Sequence, residues 1–228
     1  MGSKERRARE KALVHGRILA AARDLFIRDG YEAVTMRSIA EKVEYTPTAL
    51  YFHFKNKEAL LRELRDQGAL ALGARLGKLR KLKNPVERLR RMGKAYLQFA
   101  LAHPNEYRLL FMTPQPTLPP EDSAVRKGDP DQDAYALLVQ TMAEATAAGL
   151  LRPTLTDAEQ VAQVLWSAMH GWVSLILLRH HDSWIDWRPV APTGSLVIDT
   201  MLAGLTGSTG PADTISPRKG TTARPQRI

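Results

Sequence analysis

Six histidines and no cysteine set the chemistry open to this 228-residue chain. Without thiols there is no disulfide framework, thiolate nucleophile, zinc ribbon or iron–sulfur site. The remaining candidates for metal or acid–base work are His103, His170, His180, His181 and Asp182. His180, His181 and Asp182 are consecutive, so on a helix their side chains point in different directions, whereas two ligands on one helical face need a spacing of three or four residues. The chain also lacks HExxH, GxSxG, a phosphate-binding glycine loop and a dinucleotide fingerprint. No catalysis, metal or cofactor is expected, and a histidine-based enzyme stands only as a rival reading.

Charge points elsewhere. The net charge is +9, and it is unevenly placed: residues 1–65 carry 14 basic and 9 acidic side chains, 66–100 carry 9 and 2, 101–206 carry 6 and 12, and 207–228 carry 4 and 1. A basic front on an acidic body favours a polyanionic partner, because Lys and Arg that neutralise phosphates release condensed counterions. An architectural DNA binder without sequence preference would use the basic face but has no need of so large an acidic half. The composition, 44% hydrophobic and 25% charged, is that of an ordinary globular domain. No run is read as approaching the roughly 18 uncharged apolar residues of a membrane span. The segment MGSKERRAREK has no apolar signal core, so the expected compartment is the cytoplasm.

The elements that must position these groups are helical. Apolar residues recur at spacings of three and four, without the alternation of strands, so the expected fold class is all-α. Val14, Ile18, Ala22, Leu25 and Phe26 form one stripe of a first helix closed by Gly30. Thr35 is placed to cap a short helix over 36–43, and Thr46 to cap another with Pro47 at its first position. Asn56 opens a fourth helix over 57–80 that contains Gly68, Gly73 and Gly77, which makes it either soft or closely packed. Further helices are predicted over 85–101, from Pro104 to before Pro114, over 131–149, over 157–179 behind a capping box starting at Thr156, and over 193–205. Residues 1–11 read as a basic arm, containing Lys4, Arg6, Arg7, Arg9 and Lys11, that follows a DNA groove or is simply solvated. Residues 207–228 read as a disordered tail.

Two short helices around Thr46 have the spacing of a helix-turn-helix, whose second helix enters the major groove. The string Ile18, Ala21-Ala22, Leu25-Phe26, Gly30-Tyr31, Thr35, Ile39-Ala40, Leu50-Tyr51-Phe52-His53-Phe54, Asn56-Lys57-Glu58 and Leu60-Leu61 closely resembles the N-terminal DNA-binding domain of TetR-family transcriptional regulators. The resemblance is dense over 12–62. It departs at Val43-Glu44-Tyr45-Thr46, where the family commonly has Ala-Gly-Val-Ser, so Glu44 is expected to carry a left-handed conformation that glycine adopts freely. By position, the resemblance implies that Thr46, Pro47, Thr48 and Tyr51 are exposed on the recognition helix, with Thr48 reaching base edges. It implies phosphate contacts for Thr35, Arg37, Tyr51, His53 and Lys57. Pure helix capping is an equal alternative for Thr35 and Thr46, and Phe52 and Phe54 are expected in the core.

Residues 63–206 resemble the effector-binding and dimerisation half of the same family. Tyr96 to Ala100, His103 to Phe111 and the hexapeptide Trp166-Ser167-Ala168-Met169-His170-Gly171 look like the subgroup with a WHG-type C-terminal domain. The resemblance implies a homodimer that binds double-stranded operator DNA and a small-molecule effector, acting most simply as a repressor. Candidate pocket residues are Phe99, Tyr107, Phe111, Met112, Trp166, Met169, His170 and Trp172, an apolar set with a few polar tips that suits an apolar or acyl-type effector. Plain core is the alternative for each. Candidate dimerisation residues are Val161, Leu165, Ala168 and Leu175 on one helix and Leu196, Val197, Thr200 and Met201 on the last. The basic run from Arg75 to Lys94 is a solvated face, or in part a site for the anionic end of an effector such as an acyl-coenzyme A.

Overall fold

The computed structural model describes residues 2–114, 116–117 and 119–207, and its regular elements are all helical. The expected tail, apart from Gly207, lies outside the described residues. Among the described residues, nine α-helices follow in order: α1 (Ser3–Asp29), α2 (Met36–Lys42), α3 (Pro47–Tyr51), α4 (Lys57–Gly77), α5 (Pro85–Ala102), α6 (Pro104–Phe111), α7 (Ala134–Ala147), α8 (Ala158–Arg179) and α9 (Val190–Thr206). Of the segment expected as a basic arm, residues 3–11 are instead the first part of α1, and the side chains of residues 4–11 are exposed.

Two apolar cores organise these helices. In the head, Ile18, Ala22 and Phe26 of α1 meet Ile39 and Ala40 of α2, Leu50 of α3 and Leu60, Leu61 and Leu64 of α4. In the body, α5 is central and packs against α4, α6, α7, α8 and α9. Helix α4 belongs to both, because Leu72 and Leu76 lie in the body core while Leu60 to Leu64 lie in the head core. The boundary expected at residue 62 therefore runs through a continuous helix.

Side-chain caps set most helix starts. Asn56 accepts from the Ala59 N–H at 2.9 Å, and Asn84 from those of Val86 and Glu87 at 2.9 and 3.1 Å. Helix α7 starts at Asp133 and α8 at Asp157, not at Thr156, because the Asp157 carboxylate takes the N–H groups of Glu159 and Gln160. A charged acceptor two and three residues ahead of those donors completes the helix start one residue later than the capping-box reading.

The glycines of α4 mark close packing at two points, Gly68 against the Leu110 side chain and Gly73 against backbone. An added Cβ at Gly73 would run into the backbone carbonyl of Gln132, whereas the position at Gly77 faces open space. Gly73→Ala is expected to cost about 1–3 kcal/mol through overpacking, and Gly77→Ala to stabilise by about 0.5–1 kcal/mol. Denaturant unfolding of the two variants, which share one helix, should give shifts of opposite sign.

Helix α8 corrects the reading of apolar runs. Residues 160–178 contain no Asp, Glu, Lys or Arg, and α8 is long and apolar enough to cross a membrane by length and composition. Its buried stripe, Val161, Ala162, Leu165, Met169, Val173 and Ile176, packs into the body core. Its other side is open in the single chain, with Val164, Leu175 and Leu178 exposed.

Candidate functional site

The head holds α2 and α3 rigidly and leaves one face clear. Thr35 Oγ1 accepts from the Ser38 N–H while Ser38 Oγ accepts from the Thr35 N–H, both at 3.0 Å, which closes a reciprocal box at the start of α2. Thr46 Oγ1 accepts from the Ala49 N–H at 3.2 Å and opens α3. Between them Glu44 has φ 61°, the left-handed conformation its place in the turn requires. Leu50 points into the core, and Thr46, Pro47, Thr48 and Tyr51 lie exposed.

Tyr51 is joined by a residue that patterning assigns to the core. Phe52 is 80% exposed while Phe54 is buried, because α3 ends at Tyr51 and the following turn rotates Phe52 outward. Two adjacent aromatic residues are thus exposed at the C-terminal end of α3. The sequence shows the aromatic pair followed by Phe54, but it does not fix the end of a five-residue helix to the residue.

The expected phosphate-contacting residues divide. Arg37 is exposed and pairs with Glu41 one turn on, at 3.0 Å. Lys57 is engaged inside the protein: its Nζ donates to the Tyr31 carbonyl at 2.8 Å and sits 4.1 Å over the Tyr31 ring. It ties the start of α4 to the loop after α1, so a phosphate would have to compete with these contacts. His53 is half-buried, its Nδ1 has no partner among the described residues, and burial, with His15 and Lys11 nearby, pushes its imidazole below the ordinary range.

The body contains an apolar cavity of about 270 Å³ between α4, α5, α6, α7 and α8. Of the expected pocket residues it touches Phe111, Trp166 and Met169; Phe99, Tyr107, Met112, His170 and Trp172 are not in its wall. Phe99 is spent in the body core, and Trp172 packs against Gly194 of α9. Patterning misses Leu72, Leu76, Leu89, Met92, Tyr96 and Leu138, which line the cavity as ordinary apolar positions of three helices. Nothing local distinguishes such residues from core, since only the packing of α7 across α4 and α5 leaves the space.

Tyr107 and His170 act behind the wall. Trp166 Nε1, which can only donate, reaches Tyr96 Oη at 3.0 Å; Tyr96 and Tyr107 hydroxyls are 2.8 Å apart, and Tyr107 Oη lies 2.6 Å from His170 Nδ1. Trp166 Nε1–H donates to Tyr96, and the chain ends at Ser174 Oγ, 3.3 Å from His170 Nε2; beyond the indole the direction of donation follows the tautomer of His170. Burial pushes Tyr96 up to about 12 and Tyr107 higher, and lowers His170, so the chain is made of neutral groups. It ties α5, α6 and α8 together beside the cavity.

The basic run is largely structural. Arg88 is buried and donates to Glu144 at 2.5 Å and to the Leu82 carbonyl; Arg90 reaches Asp199 at 2.7 Å; Arg91 pairs with Glu87, Arg75 bonds Gln98 and Arg80 pairs with Asp131. The Arg88 and Arg90 bonds fasten α5 to α7 and α9. Together these pairings leave no run of free guanidinium groups for an effector's anionic end. His180 and His181 sit at the C-terminal end of α8, apart from His103 and His170, and among the described residues no three His, Asp or Glu side chains gather around a metal-sized space.

The expected dimer stripe also shifts. Val161 and Leu165 are buried in the chain's own core, with Leu165 in the cavity wall, while Val197 and Met201 are partly buried against the same core. The open stripe of α8 is Val164, Ser167, Gly171, Leu175 and Leu178, beside Leu196 and Thr200 of α9. Trp184 and Ile185, in the loop that follows α8, extend this apolar surface.

A short helix with an exposed polar and aromatic face, held on a three-helix head and joined by one helix to a hollow helical body, is the architecture of a helix-turn-helix protein. Residues 18–64 match the family described as bacterial regulatory proteins, tetR family, and residues 89–192 match the tetracyclin repressor-like C-terminal domain. The chain belongs to the tetR family. Over 53 residues it is 42% identical to the HTH-type transcriptional regulator UidR of Escherichia coli (strain K12), covering 22% of this chain and 27% of that protein. Over 48 residues it is 44% identical to QacR of Staphylococcus aureus, covering 21% and 26%. The matched segments thus span about a quarter of these relatives' length. The whole fold resembles a protein of unknown function from Rhodococcus sp. RHA1, with TM-score 0.62, 26% identity and coverage of 85% and 95%. It also resembles SmeT, solved in complex with triclosan, with TM-score 0.64, 20% identity and coverage of 93% and 99%.

Proposed function

We propose that the protein is a homodimeric transcriptional repressor of the cytoplasm, released from a palindromic operator when a small, mainly apolar effector enters the body cavity. The observation that carries this reading is the continuity of α4, which contributes Leu60 to Leu64 to the DNA-binding head and Leu72 and Leu76 to the core and wall around the cavity. A ligand that changes the packing of α4 changes the setting of the head. The W…HG spacing of Trp166, His170 and Gly171 supports the subgroup with a WHG-type C-terminal domain. SmeT, on the same fold, was solved in complex with triclosan.

In this reading Thr46, Pro47, Thr48, Tyr51 and Phe52 face the major groove, and Thr35, Arg37, His53 and Lys57 contact phosphates around it, Lys57 by leaving Tyr31. Two heads related by two-fold symmetry read half-sites about one helical turn, or a multiple of it, apart. To move the operator-bound population from 99:1 to 1:99, an effector must prefer the released state by about 5.5 kcal/mol. Affinity that is equal for both states releases nothing.

Selection of duplexes from a random pool by the full-length protein at physiological salt tests the reading. A palindromic consensus is expected, and a bound pool without enrichment would overturn it in favour of architectural binding. Thr48→Ala, repeated in the same selection, should relax preference at a single symmetric pair of positions, at a discrimination of about 1–3 kcal/mol. An unchanged consensus would remove Thr48 from base readout.

A further inference from the structure

We infer that the effector is amphipathic, an apolar body ending in an oxyanion, and that Arg65 of α4 receives the oxyanion where two cavities meet. The inference rests on the body cavity being the effector site, as proposed above.

The apolar cavity of about 270 Å³ adjoins a second of about 250 Å³. The two share Arg65, Ala69, Leu110, Val125 and Asp133 as wall. Polarity changes across this wall. The first cavity is lined mainly by aliphatic and aromatic side chains, and the second adds Arg62, Asp66, Ser123 and Lys127 to the shared wall. Arg65, in the shared wall, is the basic side chain that a molecule filling the first cavity meets.

The charges around the shared wall decide which ligand end it takes. Both carboxylates are already supplied with donors. Asp66 accepts from the Ser123 hydroxyl at 2.6 Å and the Ala124 N–H at 2.8 Å. Asp133 accepts from the N–H groups of Gly128, Tyr135 and Ala136. Arg62 donates to Asp122 at 2.8 Å. Arg65, partly buried at the junction, makes no hydrogen bond or ion pair with another described residue, and neither does the exposed Lys127. A guanidinium in the wall of an apolar cavity that no protein acceptor holds is open to a carboxylate or phosphate, which it meets in a bidentate fork. A purely hydrocarbon effector would take water from Arg65 without replacing it, and a cationic one would be repelled.

Two sources supply this oxyanion, a free carboxylic acid and the phosphates of a coenzyme A thioester. Calorimetric titration of the full-length protein with decanoate, decanol and decanoyl-coenzyme A separates them. At least one of the two anions should bind about tenfold tighter than decanol. Arg65→Ala should bring that ligand down to the affinity of decanol while leaving decanol unchanged, and Arg65→Lys should keep part of the gain. An advantage confined to the thioester and reduced by Lys127→Ala assigns the group as phosphate, and one already complete for decanoate assigns it as carboxylate. Equal binding of all three ligands, or an anion advantage that survives Arg65→Ala, overturns the role of Arg65 and leaves the effector cavity standing. If none of the three binds a protein that still binds its operator, the cavity is not the site for such ligands, and both readings fall.

Discussion

Replacing Leu109 with Ala should lower the stability of the protein by about 2–5 kcal/mol, the usual range for emptying a fully buried leucine site. Leu109 is carried by α6, a helix of the body, yet its side chain is buried in the core of the head among the residues of α1 and α4. One turn earlier on α6, Glu106 pairs with Arg23 of α1 at 2.6 Å. That pair is only partly buried, and ion pairs near the surface contribute about 0–1 kcal/mol, so the leucine dominates the joint. Arg23→Ala should accordingly cost much less. The other sides of α6 hold Tyr107 in the body core and put Leu110 and Phe111 on the cavity wall. Leu109→Ala should therefore also weaken release of the operator by an effector, because the helix that touches the cavity no longer grips the head. Denaturant unfolding, with an unchanged slope, measures the first effect; operator titrations with and without effector measure the second. A loss under about 1 kcal/mol, on the same scale as a surface pair, would mean that α6 is not wedged into the head.

The second large effect concerns the open stripe of α8 and α9. A double variant, Leu175→Glu with Leu196→Glu, places charges on side chains that are 49% and 65% exposed in the single chain. Within one protomer these changes should be nearly neutral. In a two-fold dimer each introduced carboxylate is buried against the partner's copy of the same surface, without a cation to meet it. Sedimentation should then show a monomer with wild-type helicity. Operator affinity should fall by about 10²–10⁴-fold, because each head then binds its half-site without the effective concentration supplied by its twin. Gly171 and Ser167, in the middle of the stripe, would allow two copies of α8 to approach closely. A variant that stayed dimeric would move the interface elsewhere.

Much of the head is legible in the amino-acid sequence. Ile18, Ala22 and Phe26 recur at helical spacing, Thr35 and Thr46 announce helix starts, and Gly30 an end, because capping and periodicity are local properties of the chain. Even the strain at Glu44 follows from a missing turn glycine. Caps at Asn56 and Asn84 are equally readable, and the start of α8 at Asp157 instead of Thr156 differs by a single residue between two neighbouring acceptors.

Only the tertiary structure decides which helix faces which. Val161 and Leu165 have the same residue types as Val164 and Leu175, but the first two face the chain's own core and the last two face out, a choice made by the crossing of α8 over α5 and α7. The basic run reads as one surface, yet Arg88, Arg90 and Arg80 each turn to a carboxylate contributed from 50 or more residues away. The cavity is a gap between α4, α5, α6, α7 and α8, and Arg65 meets it only because α4 continues from the head into the body. Caps and periodicities are encoded within a few residues of each other, whereas a void, a buried ion pair or an exposed stripe exists only once distant helices have packed.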